Sequence, residues 1–372
     1  TIQRGVMYKM KLDNNGERLA YNRMDPAAVD SNDYMFINPM IMDKNIDILY
    51  MAAGNKLWRN NDIANIPYNN SHAKNDLGWE MFSDTLPNPN LDITAIATST
   101  TTANVVYLGT KYRKLYRIDN ANVGDPEIVE LTSPTVSSNA YVYDIAVNPN
   151  DAEEVMVVYS NYSCYSLFHS TDGGQSWGKV AGNLEQNNSL SGSGNGPSCR
   201  AAEIIPLGNS ILYVVGTSVG LFGTANLNDI NTVWEQISEN EIGAVVCEYL
   251  AYRPNDGLLV VATHGNGIYQ TNLNSLADVL DIENVKKNNF DFTIFPNPVV
   301  DIFSLLVNID KNADTKVIIY DELGRKVGKE YNHKLSFGKN VIKLNIIDYK
   351  AGIYFVCLDI DNEIVVKQII KE

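Results

Sequence analysis

Basic side chains are scarce in this chain: 29 lysines and arginines stand against 44 aspartates and glutamates, a formal net charge of −15. Nucleic acid and anionic membranes both demand a basic footprint, so neither is expected as a partner. Histidine is scarcer still. His72, His169, His264 and His333 lie far apart without ligand spacing, and no metal site is expected from them. The four cysteines, Cys164, Cys199, Cys247 and Cys357, form no CxxC pair and no cluster with histidine. That removes a structural zinc site and leaves buried free thiols as the expectation, with pairing not deducible. No apolar run approaches the roughly 18 residues that cross a bilayer. The opening TIQRGVMYKM lacks a basic segment followed by an apolar stretch, so no signal peptide is read there. A glycine-rich stretch, Leu190 to Pro197, has no following Lys-Ser/Thr and reads as a flexible loop, not a phosphate cradle. No Ser/His/Asp or Cys/His constellation stands out, and no cofactor is implied.

What remains is ordinary globular composition, 45% hydrophobic and 20% charged, over a length that suggests two modules. The first three quarters repeat themselves. ILYMAAGNKLWRNND (from Ile48), VVYLGTKYRKLYRID (from Val105), VMVVYSNYSCYSLFHSTD (from Val155), ILYVVGTSVGLFGTA (from Ile211) and LLVVATHGNGIYQTN (from Leu258) align with one another. Each holds an apolar strand, a short turn and an aliphatic–aromatic pair, from Leu57-Trp58 to Ile268-Tyr269. Another strand precedes each unit, such as Tyr141–Val147, and a Trp-bearing strand often follows, at Trp79, Trp177 and Trp234. A period of roughly 50 residues with four strands each predicts the blades of a β-propeller. Residues 5–25 read as a hairpin turned at Asn14-Asn15-Gly16, the outer half of an earlier blade. Five units are visible over residues 1–273: the N-terminal hairpin could complete the last and close the ring, but the expectation is the incomplete part of a larger, seven-bladed ring.

Ser170-Thr171-Asp172-Gly173-Gly174-Gln175-Ser176-Trp177 fits the pattern S-x-D-x-G-x-x-W. It resembles the Asp box of sialidase-type propellers, xyloglucanase-type hydrolases and sortilin-like receptors. Ser170, Asp172, Gly174 and Trp177 are expected to hold a turn: Asp172 caps amides, Gly174 takes a positive φ and Trp177 fills the gap between outer strands. Such a box identifies a fold and not a reaction.

From Phe292 to Glu372 the pattern changes to short alternating strands at Ile302–Val307, Lys316–Tyr320, Val341–Leu344, Ile353–Leu358 and Val365–Ile370. Turn signals at Asp321-Glu322-Leu323-Gly324 and Asp361-Asn362 separate them, which predicts a small antiparallel, Ig-like β-sandwich. Pro296-Asn297-Pro298, Tyr320-Asp321, Gly324-Arg325, Gly352, Tyr354 and Lys367 recur there in order. This set resembles the type A C-terminal sorting domain of the Bacteroidetes type IX secretion system. The resemblance implies export through the periplasm and outer membrane to the cell surface or medium. It implies contact with the outer-membrane translocon and its shuttle protein through residues 292–372. Residues 274–291 read as a linker, near which a sortase-like protease would cut. A cargo of this kind is made with a leader, so the sequence is expected to be processed or part of something longer.

A hydrolase built on such a propeller needs facing carboxylates. The candidates, on loops leading into blades or in innermost strands, are Asp43, Asp92, Asp144, Glu203 and Glu248. A sialidase would also need three arginines, and arginine is sparse in the repeats. The expectation is therefore a non-enzymatic surface propeller that binds a glycan or protein, in adhesion or gliding. A secreted glycoside hydrolase of xyloglucanase or sialidase type, and a component of the secretion machinery, stand as alternatives.

Overall fold

The computed structural model describes residues 3–43, 46–138, 140–159, 164–185, 196–279, 290–309, 311–322, 324–360 and 363–372. Most of the glycine-rich stretch, the core of the expected linker (280–289) and the turn at 361–362 lie outside the described residues. The chain divides into two compact units, Thr1–Asp281 and Ile282–Glu372, and among the described residues both are all-β apart from three short 3-10 turns. No helix is long and apolar enough to cross a membrane among the described residues.

The first unit opens with a hairpin, β1 (Tyr8–Leu12) and β2 (Arg18–Arg23), and continues as five antiparallel meanders. These are β3 (Met40–Met42), β4 (Leu49–Ala53), β5 (Lys56–Asn60) and β6 (Trp79–Met81); β7 (Ile93–Thr98), β8 (Val106–Thr110), β9 (Leu115–Ile118) and β10 (Val129–Glu130); β11 (Val142–Asn148), β12 (Asp151–Tyr159), β13 (Leu167–Ser170) and β14 (Gly178–Lys179); β15 (Cys199–Leu207), β16 (Ser210–Thr217), β17 (Gly220–Thr224) and β18 (Glu235–Ile237); and β19 (Cys247–Arg253), β20 (Leu258–Thr263) and β21 (Ile268–Asn272). Four sheets have four strands and the last has three. The second strand of each is the apolar segment that the repeat predicts. In β4, β8, β12 and β16 nearly every residue is buried, because both faces are covered by neighbouring sheets.

The first strands pack on one another in chain order, β3 on β7, β7 on β11, β11 on β15 and β15 on β19. Close approach at these seams depends on two glycines. A Cβ on Gly109 would stand 2.2 Å from the side chain of Val142, and one on Gly216 would stand 2.7 Å from the carbonyl of Cys247. Polar bonds stitch the same seams. Thr94 Oγ1 donates to the Val142 carbonyl at 2.6 Å, and Tyr213 donates its hydroxyl to Glu154 at 2.7 Å. The outer edges are held by indoles: Trp79 Nε1 donates to Met24, Trp177 to Thr132 and Trp234 to Val180, each in the segment before its own sheet. Met24, just beyond β2, thus stands to the first sheet as Val180 stands to the fourth. Residues 274–279 of the expected linker include a 3-10 turn, and Leu276 and Val279 pack on the core of the last sheet.

The second unit has two sheets around one core. β22 (Asp291–Phe295), β23 (Ile302–Ile309) and β26 (Gly338–Asn345) form one sheet. β24 (Ala313–Asp321), β25 (Lys326–Leu335), β27 (Gly352–Ile360) and β28 (Glu363–Lys371) form the other, in the order β25-β24-β27-β28. β23 alternates cleanly: Phe303, Leu305, Val307 and Ile309 point inward to meet Val317, Ile319, Val356 and Leu358. The five expected strands are present and longer than expected, β22 is the apolar strand that runs up to Pro296, and β25 is an addition.

Candidate functional site

The carboxylates singled out in the sequence have different surroundings. Asp43, just after β3, is 1% exposed and its amide donates to the Ile48 carbonyl at 2.7 Å. Asp92, before β7, forms an ion pair with Lys111 at 2.6 Å. Asp144, Glu203 and Glu248 lie on the first strands of their sheets, β11, β15 and β19; for Glu203 this corrects the expectation of a loop position. Asp144 accepts from the amides of Ala202 at 3.0 Å and of its neighbour Ile145 at 2.9 Å. Glu203 accepts from the amide of Tyr252 at 3.0 Å. Two of these acids therefore join one innermost strand to the next. Burial pushes the Asp144 carboxyl up to about 7, against the opposing pull of the two amides.

Glu248 belongs to a polar cluster. Each of β7, β11, β15 and β19 has a register shift after its first residue, which leaves Thr94, Tyr143, Arg200 and Glu248 unpaired in the ladder. The Tyr143 hydroxyl donates to Glu248 Oε1. Arg200 Nη1 lies 3.1 Å from that hydroxyl and 3.4 Å from the carboxylate, with its guanidinium 5.3 Å from the centre of the Tyr143 ring. Burial, followed by the hydrogen bond to Glu248, raises the Tyr143 pKa. Further along the strands, Thr98, Val147, Glu203 and Tyr252 help to line one small hollow of about 30 Å³, room for a water or two. The first strands of four sheets thus converge on a common line. Tyr143 and Arg200 escaped the sequence reading; the signal that could have found them is the pair Cys199-Arg200 and Cys247-Glu248 at equivalent strand starts.

The motif at 170–177 is a self-contained turn. Asp172 accepts from the Ser176 amide at 2.9 Å and from the Ser170 hydroxyl at 2.8 Å, while Gly174 donates to Ser170 Oγ at 2.9 Å with φ at +87°. The Ser176 hydroxyl and amide hold the Asp172 carboxyl down to about 2. In the first sheet, Asn60 accepts from the Asp62 amide much as Ser170 does from that of Asp172. All four cysteines are buried free thiols, and among the described residues no three metal-binding side chains gather.

In the tail, most marked residues lie at one end of the two sheets. Asn297 accepts from the Ile370 amide at 2.9 Å and donates to the Gln368 carbonyl at 3.1 Å. Val299 bonds Ile370 and Glu372, so the Pro296–Pro298 segment continues into a short parallel pairing along the edge of β28. At the same end, Arg325 donates its amide and Nε to Asp321 across a turn whose Gly324 has φ +72°. Gly352 pairs with Lys371, and Tyr320 with Lys326. Tyr354 is buried and donates to the Lys350 carbonyl at 2.8 Å. Lys367 stands apart, midway along β28, with its ammonium 5.5 Å from the centre of the Phe292 ring.

Residues 293–372 match the family model of the secretion system C-terminal sorting domain. This supports a cargo of type IX secretion. The sorting domain implies export to the cell surface or the extracellular space. A comparison with curated proteins finds no match. Among solved structures, Sqt1 from Chaetomium thermophilum is 13% identical over 71% of this chain and 61% of its own, with a TM-score of 0.41. An ancestral GH74 enzyme is 13% identical over 89% and 37%, at 0.40, and the GH74 xyloglucanase from Xanthomonas campestris 13% over 82% and 56%, at 0.35. The chain spans less than two thirds of the length of each of these structures.

Proposed function

We propose that this chain is an exported β-propeller of Asp-box type, delivered by its C-terminal sorting domain and working at the cell surface as a non-catalytic binding module. The sorting-domain match over residues 293–372 carries the reading of export. The propeller reading draws support from five meanders whose first strands pack in chain order, and from the Asp172 turn. The non-catalytic reading draws support from the carboxylates: Asp92, Asp144, Glu203 and Glu248 are each engaged by a neighbouring strand or side chain. In this reading the outer-membrane translocon and its shuttle protein recognise residues 292–372, and a sortase-like protease cuts near residues 274–291.

The deciding experiment removes residues 292–372 and follows the remainder. Retention inside the cell is expected, and continued delivery to the surface would overturn the proposal. A glycoside hydrolase is the second reading, favoured by one observation: Asp144, which keeps its proton to about 7, directly follows the Tyr143 that bonds Glu248. Turnover of aryl glycosides that disappears in both Asp144→Asn and Glu248→Gln would establish it.

A further inference from the structure

The bulge residues of β11, β15 and β19 present unlike chemistry at equivalent positions of three successive sheets. A bulge residue is released from strand pairing, and its side chain is re-aimed without loss of the ladder around it. Here the released residues are a phenol, a guanidinium and a carboxylate, and they meet across three strands. They remain accessible to solvent: the Glu248 side chain is 39% exposed and that of Arg200 25%. Aromatic rings flank them. Tyr141 is tilted against Tyr143 at 6.1 Å between centres, and Tyr249, next to Glu248, is 59% exposed. An exposed ring that follows the cluster in the chain and neighbours Asp144 and Glu203 offers a sugar a flat apolar face close to polar groups.

We propose that this cluster binds a neutral glycan, with the Tyr249 ring as a stacking face and the Arg200–Glu248 pair reading its hydroxyls. The inference rests on the proposal that the first unit is an exported binding module. Sugar hydroxyls both donate and accept, which suits a guanidinium that only donates, a carboxylate that only accepts and phenols that do both. The C–H faces of a pyranose suit an aromatic plane. Charge balance selects neutral sugars over acidic ones. Arg200 is already neutralised by Glu248, so a carboxylated or sulfated ligand would have to displace that partner in a chain of net charge −15.

The test uses the full chain on an array of neutral and acidic oligosaccharides, followed by titration calorimetry with the best neutral binder. Neutral glycans are expected to bind. Tyr249→Ala and Glu248→Gln should each weaken binding about tenfold or more, the loss of one good contact. Tyr112→Ala, at another exposed ring, should leave affinity unchanged. Binding of acidic glycans alone, of none, or unaltered binding by Tyr249→Ala would overturn the proposal. Tyr249 projects into solvent, so its variant stays informative if Glu248→Gln fails to fold. A chain that reaches the surface but binds no neutral glycan overturns this site alone. A chain that is not delivered overturns the export reading and leaves the array result intact.

Discussion

The indole nitrogen of Trp234 donates to the carbonyl of Val180 at 2.8 Å, joining the outer edge of the fourth sheet to the third. Asn183 reinforces the joint, accepting from the Trp234 amide at 2.7 Å and donating to its carbonyl at 2.9 Å. Trp234 is 2% exposed, so a carbonyl left without its donor there has no water to turn to. Trp234→Phe is expected to cost about 1–3 kcal/mol, from the lost bond and the missing ring volume. Trp177→Phe, whose bond to Thr132 is exposed, should cost less. Chemical unfolding of the two variants gives the order, and equal losses would contradict the role of burial.

Gly216 sits where β16 meets the next sheet. An alanine Cβ there would lie 2.7 Å from the Cys247 carbonyl and 3.1 Å from the Cys247 Cβ, so the sheets must part. Gly216→Ala should destabilise the chain by about 1–3 kcal/mol through overpacking. Gly208→Ala, with nothing within reach of the added carbon, meets no such clash and is strained only by its φ of +63°. A lower melting temperature for Gly216→Ala than for Gly208→Ala is the result to look for.

Asp144 gives a pH signature of unusual sign. The folded chain keeps its proton to about 7, because burial disfavours the charge, while an unfolded aspartate loses it near about 4. The proton stabilises the fold fully below about 4, and that contribution is lost as pH rises to about 7. Asn keeps an acceptor for the Ala202 amide and carries no charge. Asp144→Asn should therefore gain stability over the parent as pH is raised from 5 to 8. Melting curves at both pH values check this, and a constant difference would refute it. Asp172 has the opposite sign. Its contribution, from the bonds of Ser176 and Ser170, is present above about 4 and fades as pH falls towards about 2.

In the tail, Asn297→Ala removes the acceptor for Ile370 and the donor to Gln368. A loss of about 1–2 kcal/mol is expected from two such bonds at a partly exposed edge. Hydrogen exchange by mass spectrometry should show faster exchange at Ile370 and unchanged protection at Val356, in the strand beside it.

The repeats were legible because their second strands are apolar on both faces and are followed, across a short turn, by an aliphatic–aromatic pair in the third strand. Outer strands such as Val129–Glu130 and Gly178–Lys179 are two residues long; Trp177 marks the second, and no tryptophan marks the first. β25 was illegible for a different reason. Its KVGKEYNHKL is an edge strand, exposed or half-exposed until Leu335, so no apolar alternation marks it. The candidate site was half visible. Glu248 and Asp144 stood out as acids, whereas Arg200 and Tyr143 became meaningful only when the register shifts placed them together. A bulge leaves no compositional mark, since it is a property of two strands and not of one.

The edge pairing of the tail joins residues that are 71 and 73 positions apart, at Asn297 with Gln368 and Ile370. A polypeptide emerges from the ribosome in order, so residues 297–299 wait unpartnered until the last strand has been made. The free edge cannot be covered piecemeal. Long-range closure of this kind makes the sorting module a late and concerted folding event, and the time before it is time in which the module is still a thread.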